Sequence, residues 1–178
     1  MSKSRVNMIA KVGVFSAIAF FLQWIGGMMP FKIGGFLEIE FSDLPAVIIS
    51  FAVGPLAGVL VELIKNILHT PFTTTGFVGE FANFVINGFY VLVCGFVYRK
   101  MKTKKGAIVA LSLGVVSLVI SGFFVNLFVM LPLYMAEAPF EAKMAIVTGT
   151  IIPFNIAKGI VQGIITMLIY KKISTILK

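Results

Sequence analysis

Apolar residues run along this chain in long, nearly unbroken blocks, and the few interruptions carry glycine, proline or charge. Residues 6–25 form the first block, long enough to span a bilayer as a helix and entered through Lys3, Arg5 and Lys11. Residues 26–35 hold two glycine pairs, Pro30 and one lysine, which predicts a loop. Residues 36–41 alternate loosely and predict a short extended segment lying over an outer surface. Ser42 and Asp43, followed by Leu44 and Pro45, predict a helix start with Ser or Asp as the cap and proline in the first turn.

The apolar run 44–68 reads either as one long span or as two short ones broken at Gly54-Pro55. Charge placement decides between them. Only the break puts the basic stretch 99–105 on the same side as the basic N-terminus, as the excess of Lys and Arg in cytoplasmic loops requires. The second helix is then short, so it must start in the loop or lie in a protein-lined region. The third, 55–68, carries Glu62 and Lys65 at a spacing that allows a pair. Residues 69–76 form an outer loop, and the lone His69 reads as a helix cap or surface residue.

The fourth helix, 79–98, places Glu80, Asn83, Asn87 and Tyr90 at successive three- and four-residue steps. That polar stripe must face protein or a cavity rather than lipid, and interhelical hydrogen bonds explain it as well as a ligand does. The fifth helix, 107–130, brings Asn126 near its outer end. Glu137 and Glu141 follow in an outer loop, and the sixth helix ends at Lys171 and Lys172. All seven acids then lie in outer loops or outer helix halves. The expected fold is a single all-α integral membrane domain over residues 1–178, with six transmembrane helices, both termini cytoplasmic and an extended first outer loop.

Within the sixth helix, residues 151–159 read Ile-Ile-Pro-Phe-Asn-Ile-Ala-Lys-Gly. An ionisable residue at this depth marks a functional site by default, since charge is costly in a bilayer. Asn155 and Lys158 project from one helix face. Pro153 lacks a backbone N–H and crowds the carbonyl of Gly149, which predicts a kink or a freed acceptor. Together they form a donor-rich notch.

Composition sharpens this picture. With 59% apolar and only 12% charged residues, the chain is outside the soluble range. The apolar run after the basic N-terminus continues into a full span without a small-residue cleavage site, so no signal peptide is expected. A net charge of +8 reflects membrane orientation here and not nucleic-acid binding. The single Cys94 excludes an intramolecular disulfide, and one histidine gives no pair for haem. The sequence has no phosphate-gripping glycine-lysine loop, no H-E-x-x-H and no glycine-flanked serine with a histidine partner. No catalytic or metal residues are expected. What remains is a bundle with a polar notch, aromatic residues and a glycine-rich lid segment, suited to a small, partly planar solute. On the first helix, Gly13 and Ala17 form a small-xxx-small pair that fits either internal packing or a partner helix.

Several blocks together resemble the substrate-binding S components of energy-coupling factor (ECF) transporters, and within them the riboflavin-specific branch. They are Glu-Phe-Ser-Asp-Leu-Pro at 40–45, Gly-Pro-Leu-Ala-Gly at 54–58, Lys65-Asn66, Phe-Ala-Asn-Phe at 81–84, Leu-Pro-Leu-Tyr at 131–134, and 151–159. The resemblance covers essentially the whole chain. It implies a six-helix fold with an extended first loop over the ligand, a polar triad of Asn126, Asn155 and Lys158, and a docking strip at Gly13 and Ala17. It also implies uptake driven by two partner ATPases through a scaffold subunit in a prokaryotic cell membrane. Riboflavin would be the transported ligand, with no cofactor. The flavin's pyrimidine edge carries two carbonyls around one N–H, which asparagine amides match in both senses and lysine meets as a donor. Phe36, Leu37, Phe41 and Phe154 are candidate ring-packing residues, Glu38 and Glu40 candidate acceptors for ribityl hydroxyls, and Asn83 and Asn87 further candidate ligand contacts. Two alternatives stay open: an S component for another vitamin such as thiamine or pantothenate, and a small carrier coupled to protons through Glu80 or Glu62.

Overall fold

A computed structural model describes the backbone of residues 3–28, 32, 33, 37, 38, 40–73 and 75–176. Side chains are described within these except at 3–5, 32, 33, 38, 171 and 173–176. The described residues form six helical rods. The first, α1, is Lys3–Gly27; α2 is Leu44–Ala52 and α3 is Pro55–His69, followed by a 3-10 turn at Thr70–Phe72. Then comes α4, Val78–Met101. The fifth rod, α5, runs from Lys104–Val125 through a π turn at Asn126–Met130 into Leu131–Tyr134. The last, α6, runs from Phe140–Ile146 through a π turn at Val147–Ile151 into Ile152–Ile176. Four rods are long and apolar enough to cross a membrane, at 22, 24, 31 and 31 residues.

The two exceptions are α2 and α3, with 9 and 15 residues. At ~1.5 Å per residue they cover only about 14 and 22 Å, less than a hydrocarbon core. The chain reverses between them at Gly54, whose φ of 143° is open to glycine and strained for other residues. Pro55 then starts α3, where its missing N–H costs nothing. The expected break falls at Gly54-Pro55 as read from the sequence. The short α2 survives because it is wrapped in protein: Ala46, Val47 and Ile49 are all fully buried. Gly58 explains how α2, α3 and α4 come so close. A Cβ there would meet Val91 Cγ1 at 2.5 Å and the Ala46 carbonyl at 2.6 Å.

Both π turns have the same cause. Each is followed by a Leu-Pro or Ile-Pro step (Leu131-Pro132, Ile152-Pro153) that opens the next α segment. A widened turn accommodates the proline ring and the hydrogen bond it cannot make. The kink expected at Pro153 therefore takes the form of a π turn that includes Gly149. The two turns pack together through Leu127, Leu131, Val147 and Ile151, and Leu37 of the first outer segment leans on this cluster. That segment contains a minimal antiparallel hairpin, Lys32–Ile33 with Leu37–Glu38, in which Ile33 faces Leu37. Phe36 and the side chain of Glu38 lie outside the described residues.

On α1, Val12, Ser16, Ala19 and Gln23 form the buried stripe. Gly13 and Ala17 fall on the other side, exposed, and a Cβ on Gly13 would touch nothing within 4 Å. At the opposite end from the first outer segment, α4 and α5 join by a tight turn. Lys102 takes a left-handed conformation there, and the Thr103 side chain caps α5 by accepting from Gly106 N at 3.0 Å.

Candidate functional site

Asp43 holds the N-cap position of α2, yet its carboxylate makes no cap hydrogen bond. It is used elsewhere. Its Oδ1 accepts from Lys65 Nζ and, at 3.4 Å, from Ser42 Oγ. Its Oδ2 accepts from Gln162 Nε2 at 2.7 Å and pairs with Lys158 Nζ at 2.9 Å. Lys65 also donates to Ser42 Oγ at 2.7 Å and pairs with Glu62 at 2.9 Å, so the expected Glu62–Lys65 pair forms. Asp43, Lys65 and Glu62 are fully buried. Charges at this depth are costly unless paired, and here each has an oppositely charged neighbour, although neither Glu62 oxygen has a hydrogen bond among the described residues.

A second branch runs through amides. Glu40 Oε1 accepts from Asn83 Nδ2 at 3.0 Å. Asn83 Oδ1 accepts from Asn66 Nδ2 at 3.2 Å, and Asn66 Oδ1 accepts from Gln23 Nε2 of α1 at 3.3 Å. Lys158 joins the branches: its ammonium donates to Asn87 Oδ1 at 3.4 Å and lies 3.9 Å from Glu40. The polar stripe of α4 thus faces protein as expected, but it serves two ends. Asn83 and Asn87 belong to this network. Glu80 instead pairs with His69 at 3.0 Å and accepts from Thr75 Oγ1 at 3.2 Å, so His69 is a carboxylate partner where a cap or surface residue was expected.

Against this network lies a cavity of about 120 Å³ lined by Glu40, Phe41, Phe154, Ala157, Lys158, Val161 and Gln162. Two aromatic rings and the side chains of Glu40, Lys158 and Gln162 border it, and the surface it exposes is apolar. Glu40 Oε2 and Gln162 Oε1 are buried and have no hydrogen-bond partner among the described residues. A stranded acceptor is costly, and a hydroxyl or N–H from a ligand would relieve it.

The asparagines expected beside Lys158 are near each other but are not among the residues lining this cavity. Asn155 Nδ2 lies against the α5 backbone, where a Cβ on Gly122 would meet it at 2.5 Å. Asn126 Nδ2 donates to the carbonyl of that same Gly122 at 2.8 Å. Both amides are buried, and Asn126 opens the π turn of α5. Asn155 therefore reaches α5, while Lys158, one turn on, reaches the start of α2. Asp43, Lys65 and Gln162 were missed as site residues by sequence reasoning. Gln162 had a readable signal, since it continues the Asn155–Lys158 face at the next turn.

The family described as ECF transporter, substrate-specific component, matches residues 7–170. The riboflavin transporter RibU of Staphylococcus aureus (strain TCH60) is 37% identical over 172 residues, covering 94% of this chain and 90% of that protein. The riboflavin transporter FmnP of Bacillus subtilis (strain 168) is 35% identical over 178 residues, covering 95% and 93%. A solved structure described as the S component of a bacterial ECF transporter superposes with a TM-score of 0.83 at 36% identity, covering 98% of this chain and 99% of that one. With its short buried α2 and α3, its four long apolar rods and a family match across nearly its whole length, this chain belongs to the substrate-specific components of ECF transporters, membrane proteins that serve transport and not catalysis.

Proposed function

We propose that this chain is the riboflavin-binding S component of an ECF-type vitamin importer. The observation that carries the proposal is the cavity lined by Phe41, Phe154 and the side chain of Lys158, with two buried unpaired acceptors, Glu40 Oε2 and Gln162 Oε1, on residues that border it. Riboflavin matches each part. Its flat ring suits the aromatic side chains, its ribityl hydroxyls supply donors for the two acceptors, and its pyrimidine carbonyls take the lysine proton. Asn126 and Asn155, meeting at Gly122, supply amides that donate and accept at the same ring edge. The segment before α2, whose Leu37 packs on the π turns, covers the ligand from the outer side. Relatives named as riboflavin transporters support this vitamin over thiamine or pantothenate.

In this reading both termini and the basic turn 99–105 face the cytoplasm of a prokaryotic cell. The chain carries no nucleotide-gripping loop, so ATP hydrolysis belongs to two partner ATPases acting through a scaffold subunit. The scaffold docks on the exposed small-residue strip of Gly13 and Ala17, where close backbone approach is open.

The test is a fluorescence-quenching titration of detergent-purified protein with riboflavin, thiamine and pantothenate as competitors. Riboflavin should bind and the others should not displace it. Lys158→Met keeps a long side chain while stranding one ligand acceptor, which costs about 1–3 kcal/mol, or roughly tenfold to a hundredfold in affinity. Unchanged riboflavin affinity in Lys158→Met would refute the site assignment.

A further inference from the structure

The Asp43 carboxylate is held from three elements at once, and this has a consequence for Lys158. A lysine ammonium is a point charge on a flexible four-carbon stem, so something else must fix where it points. The Lys158 ammonium is ion-paired with Asp43 Oδ2 at 2.9 Å and donates to Asn87 Oδ1 at 3.4 Å. Glu40, at 3.9 Å, is too far for a hydrogen bond and only adds charge attraction. The Lys158 side chain also lines the cavity.

Asp43 is itself immobilised. Gln162 holds Oδ2 from α6 at 2.7 Å, Lys65 holds Oδ1 from α3, and the Ser42 hydroxyl adds a longer contact. Lys65 is held in turn by the Ser42 hydroxyl, which accepts at 2.7 Å, and by its ion pair with Glu62 at 2.9 Å. With Asp43 completely buried, no water competes for these positions. An anion fixed by two helices and its neighbour Ser42 therefore directs a second, otherwise mobile cation.

We propose that Asp43 is a positioning residue: the anchored carboxylate that aims the Lys158 ammonium at the ligand without touching the ligand itself. This rests on the riboflavin reading above. It assigns the conspicuous buried triad of Asp43, Lys65 and Glu62 a part in binding beyond holding α2 against α3. It also ties the ligand-facing cation to the residue that follows directly on the first outer segment.

The experiment is a double-mutant cycle with Asp43→Asn, Lys158→Met and the pair combined. Riboflavin affinity is read by fluorescence quenching and the ligand's surroundings by the long-wavelength absorption band of the bound flavin. Asp43→Asn keeps the shape and leaves Lys65 paired with Glu62. It should weaken riboflavin by about tenfold. It should also shift the bound-flavin band toward its position in Lys158→Met. Combined with Lys158→Met it should cost almost nothing more, because the group it aims is already gone. If the two losses instead multiply, Asp43 acts independently of Lys158 and the proposal is overturned. An Asp43→Asn protein that keeps the parent's affinity and band overturns it equally. Parent-like binding by Lys158→Met alone would instead remove the riboflavin site assignment, and the inference with it. Should Asp43→Asn not fold, Asp43→Glu preserves the charge for Lys65 and moves it by one methylene. Its loss and band shift should likewise vanish in the Lys158→Met background, and persistence of the loss there refutes the positioning role.

Discussion

Gly122→Ala separates ligand binding from folding more sharply than any polar substitution in the site. Gly122 is buried on α5, and a methyl group there would lie 2.5 Å from Asn155 Nδ2 and 3.3 Å from its Cγ. Real contacts of that kind need well over 3 Å, so something must yield. The amide is the free end of a side chain and can swing away, whereas the α5 backbone cannot. For the fold this is nearly neutral. Alanine gains at most about 1 kcal/mol over glycine in a helix interior, and the displaced Asn155 amide gives up no side-chain hydrogen bond to the described residues. For the ligand it is not neutral. If Asn155 meets the pyrimidine edge of riboflavin, its displacement strands one donor–acceptor pair at about 1–3 kcal/mol, roughly tenfold to a hundredfold in affinity. The two effects therefore have opposite or unequal sizes, and two assays resolve them. Thermal unfolding of the unliganded protein in detergent should be unchanged or slightly raised, while riboflavin titration should show the loss. Lumiflavin, which lacks the ribityl chain, should lose by a similar factor. Parent-like affinity with parent-like stability would refute the placement of Asn155 at the ring edge.

Lys65→Met removes the one ammonium shared by Asp43 and Glu62 and leaves Glu62 without its charge partner; destabilisation of about 3–5 kcal/mol is expected, read as lost thermal stability or lost yield of folded protein. Gly13→Leu adds bulk on an open, exposed face, so riboflavin affinity should match the parent while co-purification with the scaffold subunit and its ATPases fails; intact assembly would place the docking surface elsewhere. In a Cys94→Ser background, an impermeant thiol reagent should label Glu137→Cys in intact cells and should not label Lys104→Cys, both positions being exposed; the reverse pattern would invert the membrane orientation. Proteoliposomes holding this chain alone should bind riboflavin without concentrating it under a proton gradient, and concentrative uptake would point to a secondary carrier.

The sequence by itself determined the number of rods, the reversal at Gly54-Pro55, the break in regular helix at Pro153, and the polar face of the last helix. Each is a local matter. Glycine tolerates a φ that other residues resist, proline lacks a donor wherever it occurs, and helical periodicity fixes which side chains share a face. The Glu62–Lys65 pair was legible for the same reason, being one turn apart on one helix. Tertiary structure alone decided what those faces meet. Gln162 finds Asp43 across a separation of 119 residues, and Asn66 links Gln23 to Asn83 between three helices. Such pairings depend on the rotation and register of rods whose apolar surfaces are alike all round. Lipid tails are as apolar as leucine, so a membrane helix carries little pattern to tell its lipid face from its core face. That is why Gly13 and Ala17 read equally well as internal packing until α1 was seen to turn Val12, Ser16 and Ala19 inward instead. It is also why Asp43, which from its neighbours could only be read as a helix cap, proved to be the residue to which α3 and α6 are tied.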